Sequence, residues 1–466
     1  MNGCWRLTGL FLFLVTSDAD AHAFAQRYDL PLPLWHYIAG AGAAVALSFL
    51  AAALVLGGRA KPSAHLRLPL PPSLVNVVRH GLGGVAIALF LLLLVAGFFG
   101  AQDDWDSNLL PVSVWVIWWV GITFVSALIG NVWPLIDPWR AVARMFPRHR
   151  APLGWPRGAE AWPAVFLFLS FAWCEVAWTE NAVPYKLATL ILGYSLVTWT
   201  GMALFGVEVW CAKADPFAVF FGLIARFAAL DVKGGALVIR PFGAGLSDAR
   251  LPTPAAAAFV IVVLATVSFD GIGETPFWDT VAGLTMRFLY DVGIVARIGY
   301  TAADSLVKTL GLLATPLVFA AVYLAACGLV GRITGEPTGY TARRYVFSLV
   351  PIAIGYHLAH YLSYLLIQGQ AVWPLLSDPL NLGWNLFGTR GTMIDVGVIG
   401  MRFVWLFAVF AIVLGHAAAV MLAHMEAMRN NSSRVTAVAS QAPMLILMVA
   451  YTMLSLWILS QPVVEV

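Results

Sequence analysis

His357 and His360 stand three residues apart within a long apolar run, Tyr356-His357-Leu358-Ala359-His360-Tyr361. On a helix that spacing turns both imidazoles to one face. Hydrocarbon penalises polar groups unless they meet a partner or a wet cavity. At about 1.5 Å per residue, His357 stands roughly 18 Å from the inner end of its helix. His416 and Glu175 fall at comparable depths in two other apolar runs. Three imidazoles and a carboxylate near one level can ligate a transition metal, relay protons or hold an anion. Such donors favour zinc, copper or iron over calcium, and water on the metal becomes a nucleophile. The plainer reading is that a neutral histidine only hydrogen-bonds across a helix interface, as His416 alone would. A zinc protease would carry HExxH, and Leu358 occupies the place of that glutamate.

A second acidic site lies at the outer end of another apolar run. In Ser268 to Trp278 (SFDGIGETPFW), Asp270 and Glu274 surround two glycines, a composition that lets backbone bend close to a ligand. These carboxylates can ligate a metal, act as bases or cap turns, and Asp378 (SDPLNLGW) has the same three readings. The candidate catalytic residues are therefore Asp270, Glu274 and Glu175, and the candidate metal ligands are His357, His360 and His416.

The elements that must position them are transmembrane helices. With 61% hydrophobic residues, 11% charged and a mean hydropathy of +0.83, the chain has too few charges for a solvated surface. A hydrocarbon core of about 30 Å needs roughly 20 apolar residues as helix. Ten such runs are expected near residues 35–56, 75–99, 112–133, 162–178, 187–205, 254–269, 307–330, 345–367, 403–424 and 441–460, giving an all-α bundle. The net charge of +3 is small and its basic residues sit in short loops, so nucleic acid is not a partner. Cys4, Cys174, Cys211 and Cys327 form no CxxC pair and suit apolar burial.

Residues 1–23 read as a secretory leader, with Arg6, an apolar run from Leu10 to Val15 and small residues at Ala19, Ala21 and Ala23. Cleavage is expected before His22 or Phe24, leaving 24–466 as one integral membrane domain. A new terminus at His22 would offer copper a nitrogen chelate. The basic residues then set the orientation. Loops predicted inside carry Arg59, Lys61, Arg67 and Arg79; Arg140, Arg144, Arg148, Arg150 and Arg157; Lys213, Arg226, Lys233, Arg240 and Arg250; Arg332, Arg343 and Arg344; Arg429 and Arg434. Outside segments hold only Arg27, Lys186, Arg287, Arg297, Lys308, Arg390 and Arg402. Both mature termini are expected in the periplasm, and the chain in a bacterial inner membrane.

Two inner ends echo each other: Val132-Trp133 before Asp137-Pro138, and Val209-Trp210 before Asp215-Pro216. Asp before Pro is a helix-start signal. Both spans run inward, so this is a parallel echo or a coincidence of turn chemistry, and not an inverted transporter repeat. Interfacial segments are expected near 139–146, 217–230, 279–300 and 371–392. The last two can roof a cavity opening to the periplasm.

Several segments together resemble bacterial polytopic proteins of the fenitrothion hydrolase family. They are Tyr28-Asp29-Leu30-Pro31-Leu32-Pro33-Leu34-Trp35, Asn131-Val132-Trp133-Pro134-Leu135-Ile136-Asp137-Pro138-Trp139-Arg140, Phe269-Asp270-Gly271, Tyr356-His357-Leu358-Ala359-His360-Tyr361 and Ser377-Asp378-Pro379. The resemblance covers most of the mature chain. It implies an inner-membrane protein that hydrolyses organophosphorus triesters, together with a partner membrane subunit, and it assigns no catalytic residue. The alternative is a transporter or delivery protein for a metal ion or small solute, which ten helices with polar groups at mid-depth also suit.

Overall fold

The computed structural model describes residues 30–55, 65–146, 151–247, 250–430 and 433–461. The leader and His22 lie outside the described residues. Long helices dominate: α1 (Leu34–Val55), α2 (Pro72–Phe99), α3 (Leu109–Leu128), α4 (Pro138–Met145), α5 (Trp162–Val176), α6 (Pro184–Phe205), α7 (Val207–Lys213) and α8 (Pro216–Ile224) come first. They are followed by α9 (Pro254–Gly273), α10 (Pro276–Asp291), α11 (Tyr300–Thr334), α12 (Val350–Gln368), α13 (Met401–Asn430) and α14 (Ala442–Ser460). Among the described residues, nine helical segments are long and apolar enough to cross a membrane. The chain is a polytopic all-α membrane protein. The tenth expected span, α5, is apolar but only 15 residues long. At about 22 Å it is shorter than the bilayer core is thick.

α12 is the central helix, buried along nearly its whole length. It packs most extensively on α13. Small residues explain the approach: Ala411, Gly415, Ala419, Ala423 and Ala427 recur every four residues along α13 and are buried. They form one stripe, the device by which membrane helices bring their backbones together. A side chain at Gly355 would run into the carbonyl of Ala411, and one at Gly415 into that of Pro351. Elsewhere the surface is apolar, with Leu89, Phe166, Leu196, Leu317 and Phe410 exposed around the bundle. Such a girdle suits lipid and not water.

Ten residues of α3, Val112–Gly121, are π-helical. The wider turn sets Trp115 and Trp119 into the core, with Trp118 half-buried between them. π-helical turns are rare and concentrate at functional sites.

The expected interfacial segments take several forms. Residues 139–146 fall largely in α4, which packs on α2 and α6. Residues 217–230 depart from the amphipathic surface helix expected of them. Phe217, Phe220, Phe221 and Ile224 of α8 are buried, and the helix packs on α3, α5, α7 and α12, because eight of its nine residues are apolar apart from a single Gly222. Residues 279–300 form α10 and a short helix, Ile294–Ile298, docked through Leu289 onto Ala303 and Val307 of α11. Residues 371–392 are a folded loop that begins with the short helix Val372–Ser377.

A small antiparallel sheet, with no counterpart in the sequence reading, joins the basic end of the bundle. β1 (Leu66–Pro69) and β2 (Leu230–Lys233) flank β3 (Ala236–Ile239), with Leu66 and Leu230 both opposite Ile239. Gly234 and Gly235 make the β2–β3 turn at φ of 59° and 74°, the conformation a two-residue type I′ hairpin demands.

Candidate functional site

Four of the six sequence candidates converge. Glu175 stands one residue from the end of α5, Asp270 near the end of α9, and His357 and His360 on α12. Because α5 stops short, its last turn delivers Glu175 to the bundle interior. The chain beyond it is held by Asn181, whose side-chain amide donates to the Glu175 carbonyl at 2.6 Å. The carbonyl of Asn181 in turn accepts from Trp115 Nε1 at 3.1 Å.

Two residues missing from the sequence candidates tie the cluster together. Tyr361 Oη donates to Asp270 Oδ2 at 2.5 Å and lies 3.4 Å from Glu175 Oε1. Trp119 Nε1, from the π-helical turn, donates to the same Glu175 oxygen at 2.5 Å. His360 Nε2 lies 3.0 Å from Asp270 Oδ2. The result is a continuous chain, Trp119–Glu175–Tyr361–Asp270–His360, spanning four helices. Tyr361 was visible beside His360 in the sequence. Nothing in the order of residues indicated that its hydroxyl would reach two carboxylates on other helices.

Beside the cluster lies a cavity of about 20 Å³, lined by the polar residues Glu175, Asp270, His357, Tyr361 and Thr123 and by Trp119, Phe168, Phe220 and Ile224. That is room for one water molecule. His357 Nε2 is buried without a protein hydrogen-bond partner, so a water there would find a partner it needs. Trp119 stands edge-on to the His357 ring at 5.9 Å and fixes that side.

The segment from Asp270 to Glu274 does not bend as its glycines suggested. It stays helical through Gly273, and Gly271 leaves room for the Tyr356 hydroxyl. Glu274 ends α9, is exposed and does not line the cavity. His416 also lies apart. Its Nδ1 faces the Ile412 carbonyl at 2.8 Å and its ring packs on Tyr451 at 5.6 Å. The three histidines therefore do not gather as a metal triad among the described residues, and the cluster is built from carboxylates, a phenol and an imidazole. Asp378 is a turn cap: it accepts from the backbone N–H groups of Leu382 and Gly383 at 2.8 and 2.9 Å and pairs with Arg390.

A second cavity, of about 650 Å³, opens between α2, α3, α5 and α6. Its wall is almost wholly apolar, with Leu94, Trp118, Phe171, Cys174 and Phe217 among its lining. Trp118 and Phe171 stand between it and Trp119 of the polar cluster, with Phe171 4.6 Å from Trp119. Compared with family models, with curated proteins and with solved structures, the chain matches none. Function must be argued from this geometry.

Proposed function

We propose that the chain is a transport protein of the bacterial inner membrane that handles protons at the Glu175–Tyr361–Asp270–His360 cluster. The observation that carries this reading is the Tyr361 hydroxyl between two carboxylates from different helices. A buried ionisable chain of this kind is the usual make-up of a proton relay. The phenol gives its proton to Asp270 Oδ2 and takes one from Glu175 Oε1, so charge crosses the gap with no change in the number of protons on tyrosine. His360 Nε2 accepts the proton from Asp270 in turn. The adjoining cavity, of about 20 Å³, has room for about one water molecule. Phe168, Phe220 and Ile224 are among its apolar lining.

Proteoliposomes enclosing a pH-sensitive dye test the proposal. An imposed potential should drive proton entry in the wild type. Asp270→Asn and Glu175→Gln should each lower it by about 100-fold, the scale on which a positioned proton-transfer group acts. Wild-type flux equal to that of empty vesicles overturns the reading.

A second reading, hydrolysis of an organophosphorus triester, is favoured by one observation: the 650 Å³ apolar cavity beside the cluster. It is of the size that drug-like ligands fill, and a carboxylate next to a one-water cavity has the make-up of a general base. The family resemblance points the same way. Turnover of an aryl phosphotriester by purified protein in detergent, without a gradient and abolished by Asp270→Asn, would establish this reading over the first.

A further inference from the structure

The two echoing Asp-Pro turns meet at the basic end of the bundle. Asp137 caps α4, its Oδ1 accepting from Arg140 N at 3.0 Å. Asp215 caps α8, its Oδ1 accepting from Phe217 N and Ala218 N at 2.9 and 3.0 Å and from Tyr194 Oη at 3.2 Å. Capping thus uses one oxygen of each carboxylate. The second oxygens, Asp137 Oδ2 and Asp215 Oδ2, are buried with no hydrogen-bond partner, on residues 2% and 0% exposed. Cys211 of α7, also buried, brings its sulfur to the same place: one ligand atom from each of the three residues lies within 4.8 Å of the others.

A cap needs one oxygen, and a buried carboxylate oxygen left bare is costly. Charge is also out of balance. Two carboxylates face one guanidinium, Arg140, whose Nε lies 3.9 Å from Asp137 Oδ2 and 3.4 Å from Cys211 Sγ. Arg140 is shared further with the exposed Glu208 at 3.6 Å.

We propose that Asp137, Asp215 and Cys211 form a binding site for a zinc-type divalent cation. A thiolate with two carboxylates suits such a borderline-soft ion and not magnesium or calcium. On binding, the Cys211 thiol gives its proton to solvent. Two carboxylates and a thiolate then balance the dication and Arg140 together. Donors within 4.8 Å of one another are within reach of one ion at bond lengths of about 2.0–2.3 Å. The ion would lock α4, α7 and α8 to one another. This site is independent of the proton cluster.

Cobalt(II), a spectroscopic stand-in for zinc, tests it on the purified full chain after treatment with a chelator. One equivalent should bind and produce thiolate-to-cobalt charge-transfer absorption, which zinc then displaces. Cys211→Ser should abolish that absorption. Asp137→Asn and Asp215→Asn keep the caps, since asparagine caps as well as aspartate, and each should weaken binding by about tenfold or more. Zinc should also raise the thermal midpoint of the unmutated protein with rising concentration, a result that needs no variant to fold. Absorption that is missing from the wild type or that survives in Cys211→Ser, unchanged affinity in both Asn variants, or a midpoint indifferent to zinc would each overturn the proposal.

Discussion

Tyr361 is the residue on which the polar cluster turns. Its ring is held between His357 and His360, at 4.6 Å from each, so the hydroxyl has little freedom to leave the two carboxylates. Phenylalanine would keep the ring and remove only the hydrogen-bonding atom. Tyr361→Phe should therefore insert and fold normally yet lose most of the proton flux measured in vesicles, approaching the Asp270→Asn level. His416 offers the contrast. It is as deeply buried as His357, but its contacts are Ile412 and Tyr451 and not the cluster. His416→Ala should leave flux within about twofold of wild type while costing about 1–3 kcal/mol of stability through the lost packing. Equal loss of flux in the two variants would mean that the relay extends into α13.

At the scale of elements, three irregular features of helices place the site. α5 stops early, which delivers Glu175 inward. The π-helical stretch of α3 turns Trp119 toward that carboxylate. The small-residue crossing of α12 on α13 sets the depth and rotation of both histidines and Tyr361. The third feature can be tested without touching a polar group. Gly355→Leu forces a side chain against the Ala411 carbonyl, and overpacking of this kind costs about 1–3 kcal/mol or shifts the backbones apart. The thermal midpoint in detergent should fall, and proton flux should fall with it because α12 carries Tyr361. A midpoint unchanged from wild type would show that the two helices can separate there without cost.

For the molecule as a whole, the distribution of basic residues predicts which end faces the cytoplasm. The sheet, α4 and the Asp137–Asp215 turns share the basic end, while α10 and the loop at 371–392 belong to the other. Single cysteines at Asp104 and Lys233, both exposed, test this orientation. An impermeant thiol reagent should label Asp104→Cys in intact spheroplasts and leave Lys233→Cys unlabelled until the membrane is opened. The reverse pattern would place the basic end of the bundle outside the cytoplasm.

The sequence by itself determined that this is a bundle of membrane helices, where those helices lie, and that polar groups are buried among them. Hydropathy and helix period are local properties, so a run such as 254–269 reports its own structure, and observed α9 extends it by only four residues. The sequence also singled out Glu175, Asp270, His357 and His360, since a charge or imidazole amid apolar residues needs no partner to be noticed. It carried a signal for the hairpin at Gly234 and Gly235 too, one overshadowed by the apolar runs on either side. What only the tertiary structure decided is who meets whom. Glu274 and His416 satisfied the same local criteria and fell outside the cluster; Tyr361 and Trp119 satisfied none and hold it together. Asp137, Cys211 and Asp215 looked like two turn caps and an apolar thiol until packing set them side by side. A hydrogen bond between helices depends on where each helix ends, how far it is rotated and how closely it approaches its neighbours. Those quantities are set by small-residue crossings and by a π-helical turn, and their effects reach residues far away in the chain.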